Sequence, residues 1–155
     1  MLIRRFQEED AEAVSELIAF TLRTTNSKDY SPEYIETYVR HLNAKEILRR
    51  AQVTHFYVAC EGDKIIGCGS IGQYWDKTDE SCLFTVFVHP DYQGQGIGRK
   101  IIETLEQDEY FLRAKRVEVP ASITACGFYR AMGYDFKEGG DVPDEEQLYR
   151  MEKRR

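Results

Sequence analysis

Val86-Phe87-Val88-His89-Pro90-Asp91-Tyr92-Gln93-Gly94-Gln95-Gly96-Ile97-Gly98-Arg99-Lys100 is the stretch on which the reading of this chain turns. Its first residues have the apolar, β-branched and aromatic character of a strand. A tight polar turn follows, then glycines at alternate positions, then residues that open a helix. Such a turn points backbone N–H groups outward, and the helix behind it adds its positive dipole end. The expected occupant is an anion, with phosphate or pyrophosphate the natural fit.

The elements on either side set the fold class. Residues 82–88 are a near-continuous apolar run, as expected for a central strand covered on both faces. Before it, strands at 55–60 and 65–74 flank the hairpin turn Glu61-Gly62-Asp63-Lys64, and residues 76–80 read as a second turn rich in acid. Nearer the start, residues 2–6 form a strand, and Asp10 caps a helix carrying Val14, Leu17, Ile18, Thr21 and Leu22. After a polar loop at 24–29, Ser31 caps a second helix with Pro32 in its first turn. Its apolar face is Tyr34, Ile35, Tyr38, Val39 and Leu42, with helical character continuing through Ile47 and Leu48.

Past the glycines, the spacing predicts a helix with Ile97, Ile101, Ile102, Leu105 and Leu112 inward. Val117 and Val119 mark a strand stopped by Pro120, and Ser122 caps a helix with Ala125, Phe128, Tyr129 and Met132. Gly133 ends that helix as a left-handed residue. Strands at 134–136 and 148–151 close the chain around a loop at 138–146. The order β-α-α-β-β-β-α-β-α-β-β contains consecutive hairpins, which excludes a doubly wound parallel sheet. It predicts a mixed, mostly antiparallel sheet of about six to seven strands with helices on both faces, an α/β (α+β) fold.

The chain of 155 residues fits one domain, 1–155. A net charge of −6 argues against a sequence-independent nucleic-acid binder. The four cysteines, Cys60, Cys68, Cys82 and Cys126, show no C-x-x-C pair and no histidine at metal spacing, so they read as buried thiols in a reducing compartment. Residues 1–6 are too short and too charged for a signal peptide, and no run approaches the ~20 apolar residues of a membrane helix. The expectation is a cytoplasmic protein with no membrane, nucleic-acid or metal partner.

Three phosphate-binding chemistries compete at the glycines. A P-loop needs G-x-x-x-x-G-K-[ST]; here three residues separate Gly94 from Gly98, and Arg99-Lys100-Ile101 supplies no hydroxyl for magnesium. A dinucleotide fingerprint needs G-x-G-x-x-G in a β-α-β unit, and both spacing and strand order are wrong. The third matches. Gln93-Gly94-Gln95-Gly96-Ile97-Gly98 resembles the Q/R-x-x-G-x-G/A acetyl-CoA motif of the GNAT superfamily of N-acyltransferases. A second stretch, Ala125-Cys126-Gly127-Phe128-Tyr129-Arg130-Ala131-Met132-Gly133-Tyr134, is similar to that family's A-x-x-F-Y-x-x-x-G-F, and the segment order along the chain follows the family.

The resemblance implies that the fourth and fifth strands splay apart to admit the pantetheine of acetyl-CoA. Phe87 and Val88 then offer backbone groups to pantetheine, in the way a strand edge receives another strand. The amides of Gly94, Gln95, Gly96, Ile97, Gly98 and Arg99, beside Gln93, hold the pyrophosphate. Arg99 or Lys100 reaches the outer phosphate, and Ser122 stands where the family commonly has a cofactor-contacting Asn. Tyr129 is the implied acid near the thioester sulfur. The fourth strand lacks the family's usual Glu, leaving Glu80, His55 or a water relay as the base, while His89 shapes its turn. No metal is implied.

Acceptor selection falls to Thr24, Thr25, Asn26, Tyr30, Tyr34, Tyr38, Tyr74, Trp75, Asp76, Asp79 and Glu80. This aromatic and acidic set suits a cationic amine. The reading is an acetyl-CoA-dependent N-acetyltransferase acting on a primary amine of a small molecule or protein. Its alternatives are a non-catalytic acyl-CoA-binding module, or an interaction subunit docking through the tyrosine-rich second helix. Residues 148–151 offer a strand for homodimer pairing.

Overall fold

Alternation along one strand assigns two cores. The computed structural model describes all of residues 1–155. In β2 (His55–Glu61), Phe56, Val58 and Cys60 face α1 (Ala11–Thr24), α2 (Pro32–His41) and α3 (Ala44–Val53), packing with Val14, Ile18, Ile35 and Ile47. Ala59 faces the opposite way, into a second cluster with Ile101, Ile102 and Leu105 of α4 (Ile97–Leu105). Period-two alternation in a sheet covered on both sides produces this division.

The sheet has seven strands: β1 (Leu2–Arg5), β2, β3 (Lys64–Tyr74), β4 (Lys77–Val88), β5 (Arg116–Ala121), β6 (Asp135–Phe136) and β7 (Tyr149–Arg154). Their order is β1-β2-β3-β4-β5-β7-β6. Every neighbouring pair is antiparallel except β4 with β5, which is parallel. The mixed, mostly antiparallel sheet expected from the element order is present. Two short helices, α5 (Glu109–Leu112) and α6 (Cys126–Ala131), complete the α4 side.

The parallel pair is a fork. β4 and β5 are in register only at Glu80–Arg116, Ser81–Val117 and Cys82–Glu118. Beyond these positions β4 runs on to Val88 beside β3, and β5 runs on to Ala121 beside β7. The parting coincides with a bulge: Phe84 opposes Ser70 and Phe87 opposes Cys68, so Thr85 and Val86 share the single β3 residue Gly69. A bulge bends its strand. Thr85 has φ +56°, a left-handed conformation that costs a β-branched residue about 1–3 kcal/mol. Arg50 Nη1 donates to its hydroxyl at 3.2 Å, and the Cys68 thiol donates to its carbonyl at 3.2 Å.

The closed end of the fork is held by charge. Arg116 Nε donates to Glu80 Oε1 at 3.1 Å, and its Nη1 donates to Glu118 (3.0 Å) and Glu152 (2.9 Å). Lys137 Nζ adds a bond to Glu118 at 2.9 Å. Glu118 is fully buried, and a buried carboxylate is tolerated only when so satisfied.

Several boundaries differ from expectation. The second helix stops at Leu42, and Asn43 Oδ1 accepts the Glu46 N–H at 3.0 Å to start α3 separately. Residues 77–80 belong to β4, because a turn at Trp75-Asp76 with φ +48° at Trp75 already closes the hairpin. The helix after the glycines ends at Leu105. Asp108 caps a new turn whose phase buries Phe111 and leaves Leu112 54% exposed. Pro120 lies inside β5, beyond the last β4 partner, where the strand is laddered on one side only and a proline is tolerated. Asp10 stands at the N-cap of α1 as expected, but its carboxylate, bound to Arg4 and to the Gln7 N–H of the preceding 3-10 turn, makes no cap bond to that helix. Nor does Ser122: a 3-10 turn at Ile123–Ala125 follows it, and α6 starts at Cys126. Residues 148–151 are no free edge either, since β7 lies between β5 and β6 and the Arg150 backbone is bonded to Lys137 and Gly140.

Candidate active site

The gap between the parted strands opens into a cavity of about 600 Å³. One wall is β4 from Leu83 to Val88; the other is Val119, Pro120 and Ser122 with Phe128, Tyr129 and Met132 of the α6 region. Thr21, Thr25 and Asn26 at the end of α1, Tyr38 and Leu42 from α2 and its end, and Arg50 of α3 close the third side. The glycine turn forms the rim.

At that rim the backbone is built to receive an anion. Gly94 (φ +78°) and Gly96 (φ +80°) adopt left-handed conformations that favour glycine. None of the six N–H groups from Gly94 to Arg99 donates to a protein acceptor; the first to do so is Lys100, to the Gly96 carbonyl at 3.1 Å. Gly98 has another reason to lack a side chain, since a Cβ there would stand 3.0 Å from the Phe128 ring. Gln93 ties the turn down: its Nε2 donates to the Val88 carbonyl at 3.0 Å and to the Thr25 hydroxyl at 3.2 Å.

Phe87 and Val88 have different parts. The Phe87 carbonyl lies over Gly67 of β3, within 3.3 Å of where a Cβ would be. Strand alternation therefore turns the N–H and C=O of Val88 toward the gap. Ser122 lines the cavity with a hydroxyl that bonds to no protein group, and Arg99 stands at the rim. Gln95 is exposed and outside the cavity wall, so only its N–H belongs to the cradle.

Tyr129 reaches the cavity from α6, packed edge-on against Phe128 with ring centroids 5.2 Å apart. Its hydroxyl has no protein partner. Burial pushes its pKa well above the usual phenol range, so it is a donor at any physiological pH.

The carboxylates stand elsewhere. Glu80 faces Arg116 at the closed end and does not line the cavity. Asp79 pairs with Lys115 at 3.0 Å, and Asp76 and Trp75 are exposed, with Trp75 83% so. His55 is bound to Asp108 at 2.9 Å, an acid that also accepts from the Tyr57 hydroxyl at 2.6 Å; both lie on the α5 side, away from the gap. His89 Nδ1 accepts the Asp91 N–H at 3.1 Å and shapes its turn. The charged side chains lining the cavity are Arg50 and Arg99 alone.

The tyrosines of the second helix divide. Tyr30 and Tyr34 stack with centroids 4.5 Å apart, and their hydroxyls donate to the carbonyls of Gln147 (2.9 Å) and Glu146 (2.6 Å). That face thus docks the chain's own C-terminal loop. Tyr38, a turn further on, is the one that lines the cavity. Thr85 and Arg50 are among the lining residues that the sequence did not mark as part of a site. Arg50, near a helix end, lies three positions after buried Ile47 and so shares its inward face.

A forked parallel pair with a glycine turn at its open end has known relatives. The acetyltransferase (GNAT) domain model matches residues 52–135, more than half of the chain. The chain belongs to the GNAT family. Among curated relatives, the amino-acid acetyltransferase of Mycobacterium tuberculosis is 34% identical over 96 residues, covering 60% of this chain and 53% of that protein. The [ribosomal protein bS18]-alanine N-acetyltransferase of Escherichia coli is 38% identical over 60 residues, 37% of this chain and 40% of that one. The chain thus spans about half or less of the length of these relatives. In fold it resembles the PaiA N-acetyltransferase from Thermoplasma acidophilum, solved with coenzyme A, at a TM-score of 0.84 and 20% identity over 99% of this chain and 98% of that one.

Proposed function

We propose that this GNAT protein, acting as a single domain, transfers an acetyl group from acetyl-CoA to a primary amine. The observation that carries the reading is the row of six unpaired N–H groups from Gly94 to Arg99, at the open end of a fork that encloses a cavity of about 600 Å³. A pyrophosphate fits those donors. The Val88 N–H and C=O suit pantetheine amides, Ser122 suits a further polar contact, and Arg99 suits the outer phosphate. The curated relatives, named for amino-acid and protein-alanine acetylation, support an amine as acceptor. Four free, buried cysteines support a reducing, cytoplasmic setting, and no helix is long and apolar enough to cross a membrane.

The chemistry requires the amine nitrogen to form a bond to the acetyl carbon as the C–S bond breaks. One proton leaves the nitrogen and one arrives at sulfur. Tyr129, which lines the cavity with an unpaired hydroxyl, supports the role at sulfur. Its pKa lies above that of a thiol, about 8.5, so it steadies the departing thiolate by donating a hydrogen bond and keeps its own proton, and the thiolate takes its proton from water. No carboxylate lines the cavity, and Glu80 and His55 lie outside its wall, which supports an amine that binds as the free base or loses its proton to water. An amine of pKa about 10.4 is then the scarce species at neutral pH, and turnover at limiting acceptor rises with pH up to the acceptor's own pKa.

Calorimetry with acetyl-CoA, followed by a thiol-release screen over amines, tests the reading. Binding plus acceptor-dependent thiol release is expected. Absence of binding would overturn the proposal, and binding with no release from any amine would leave only a cofactor-binding module.

A further inference from the structure

Where Thr85 of β4 lines the cavity, the wall carries a cation, the reverse of what the acidic residues of the sequence suggested. Arg50 lines it with 24% of its side chain exposed. Its Nε donates to Glu46 at 2.9 Å and its Nη1 to Thr85 at 3.2 Å, while Nη2 bonds to nothing. Glu46 does not neutralise it. The same carboxylate takes two bonds from Arg49, at 2.8 and 2.7 Å, so two guanidinium groups share one negative charge. Beside Arg50, Tyr38 lines the same cavity with a hydroxyl that has no protein partner, and burial keeps that phenol protonated. A guanidinium edge and a phenol with free donors match a carboxylate, and the acids near them, Glu46 at Arg50 and Glu146 and Asp144 near Tyr38, stay outside the cavity wall.

Resting on the acetyltransferase reading above, we infer that the acceptor is an amine that also carries a carboxylate, held by Arg50 and Tyr38 while its amino group meets the thioester. A polyamine or other purely cationic acceptor is disfavoured by the same arrangement, because it would place like charge against Arg50 in a partly desolvated site. The bulge adds precision: the bond to Thr85 fixes Arg50 to β4 itself, on the strand that lines the donor channel.

The test compares matched acceptors on acetyl-CoA-saturated protein: free α-amino acids and dipeptides, their C-terminal carboxamides, and the corresponding decarboxylated amines and diamines. The expected kcat/KM for the best carboxylate is at least tenfold above that of its carboxamide. Arg50→Gln should lower kcat/KM for the carboxylate by about 10- to 100-fold, mainly through KM, the range expected for a hydrogen-bonded charge pair. The loss on the carboxamide should be several-fold smaller than on the carboxylate, and Arg50→Lys should recover part of the carboxylate loss. Acetyl-CoA affinity, measured in the same variants, reports that the fold is intact. Preference for carboxamides or diamines, equal losses on all acceptors, or no turnover with any carboxylated amine overturns the inference while acetyl-CoA binding stands. Loss of acetyl-CoA binding by the unmodified protein would instead remove the reading beneath it.

Discussion

The two ends of the β4–β5 fork are built from the same pair of strands and have opposite chemistry. At the closed end every polar group is satisfied: Arg116 gathers Glu80, Glu118 and Glu152, and Lys137 completes Glu118. At the open end the backbone donors from Gly94 to Arg99 are left without protein partners, and the hydroxyls of Ser122 and Tyr129 with them. A fold can leave donors unpaired only where water or a ligand reaches them. The comparison separates the part of the fork that holds the sheet together from the part that receives a molecule.

Breaking the closed end should have the largest effect. Arg116→Met leaves the buried Glu118 with Lys137 as its nearest cation and should cost about 3–5 kcal/mol of stability, read by urea denaturation. A loss below 1 kcal/mol would mean that the network is dispensable. Tyr129→Phe acts at the open end. Removing one hydrogen bond to a developing thiolate should lower turnover by about 10- to 100-fold with acetyl-CoA affinity unchanged. Equal turnover would exclude Tyr129 from the chemistry.

Gly96→Ala sharpens the contrast further. Its Cβ would meet nothing within 4 Å, so the change tests backbone conformation alone. A penalty of about 1–2 kcal/mol should appear as roughly tenfold weaker acetyl-CoA binding, with a melting point lowered by only a few degrees. The smallest effect concerns Glu46. Hydrogen bonds from Arg49 first, and then Arg50, hold its pKa at about 2, below the ordinary 4.5. A lowered pKa gives stability that is complete above about pH 4.5 and lost as pH falls toward about 2. Glu46→Gln should therefore flatten the stability–pH profile in that window and nowhere else.

Local signals made much of this visible in the sequence. The glycine spacing, the apolar run of β4 and the alternation of β2 each follow from short-range chemistry, and the resulting sheet is as expected. What escaped depends on contacts distant in sequence. Arg50 and Thr85 meet across 35 positions, and no local pattern announces a bulge with a left-handed threonine. Glu80 drew attention for its nearness to β4, yet its partner Arg116 lies 36 residues away on β5. The acids at 76, 79 and 80 suggested a cationic acceptor only because sequence proximity to β4 cannot tell the cavity from its outer end. Phase was the other gap, since the restart of helix at Asp108 exchanged Leu112 for Phe111 in the core.

Amide hydrogen exchange with and without acetyl-CoA tests the contrast between the two ends most directly. Exchange at residues 94–99 is expected to slow strongly on binding, while the amides of Arg116, Val117 and Glu118, already laddered between β4 and β7, hardly change. Binding that leaves residues 94–99 unprotected would contradict that contrast.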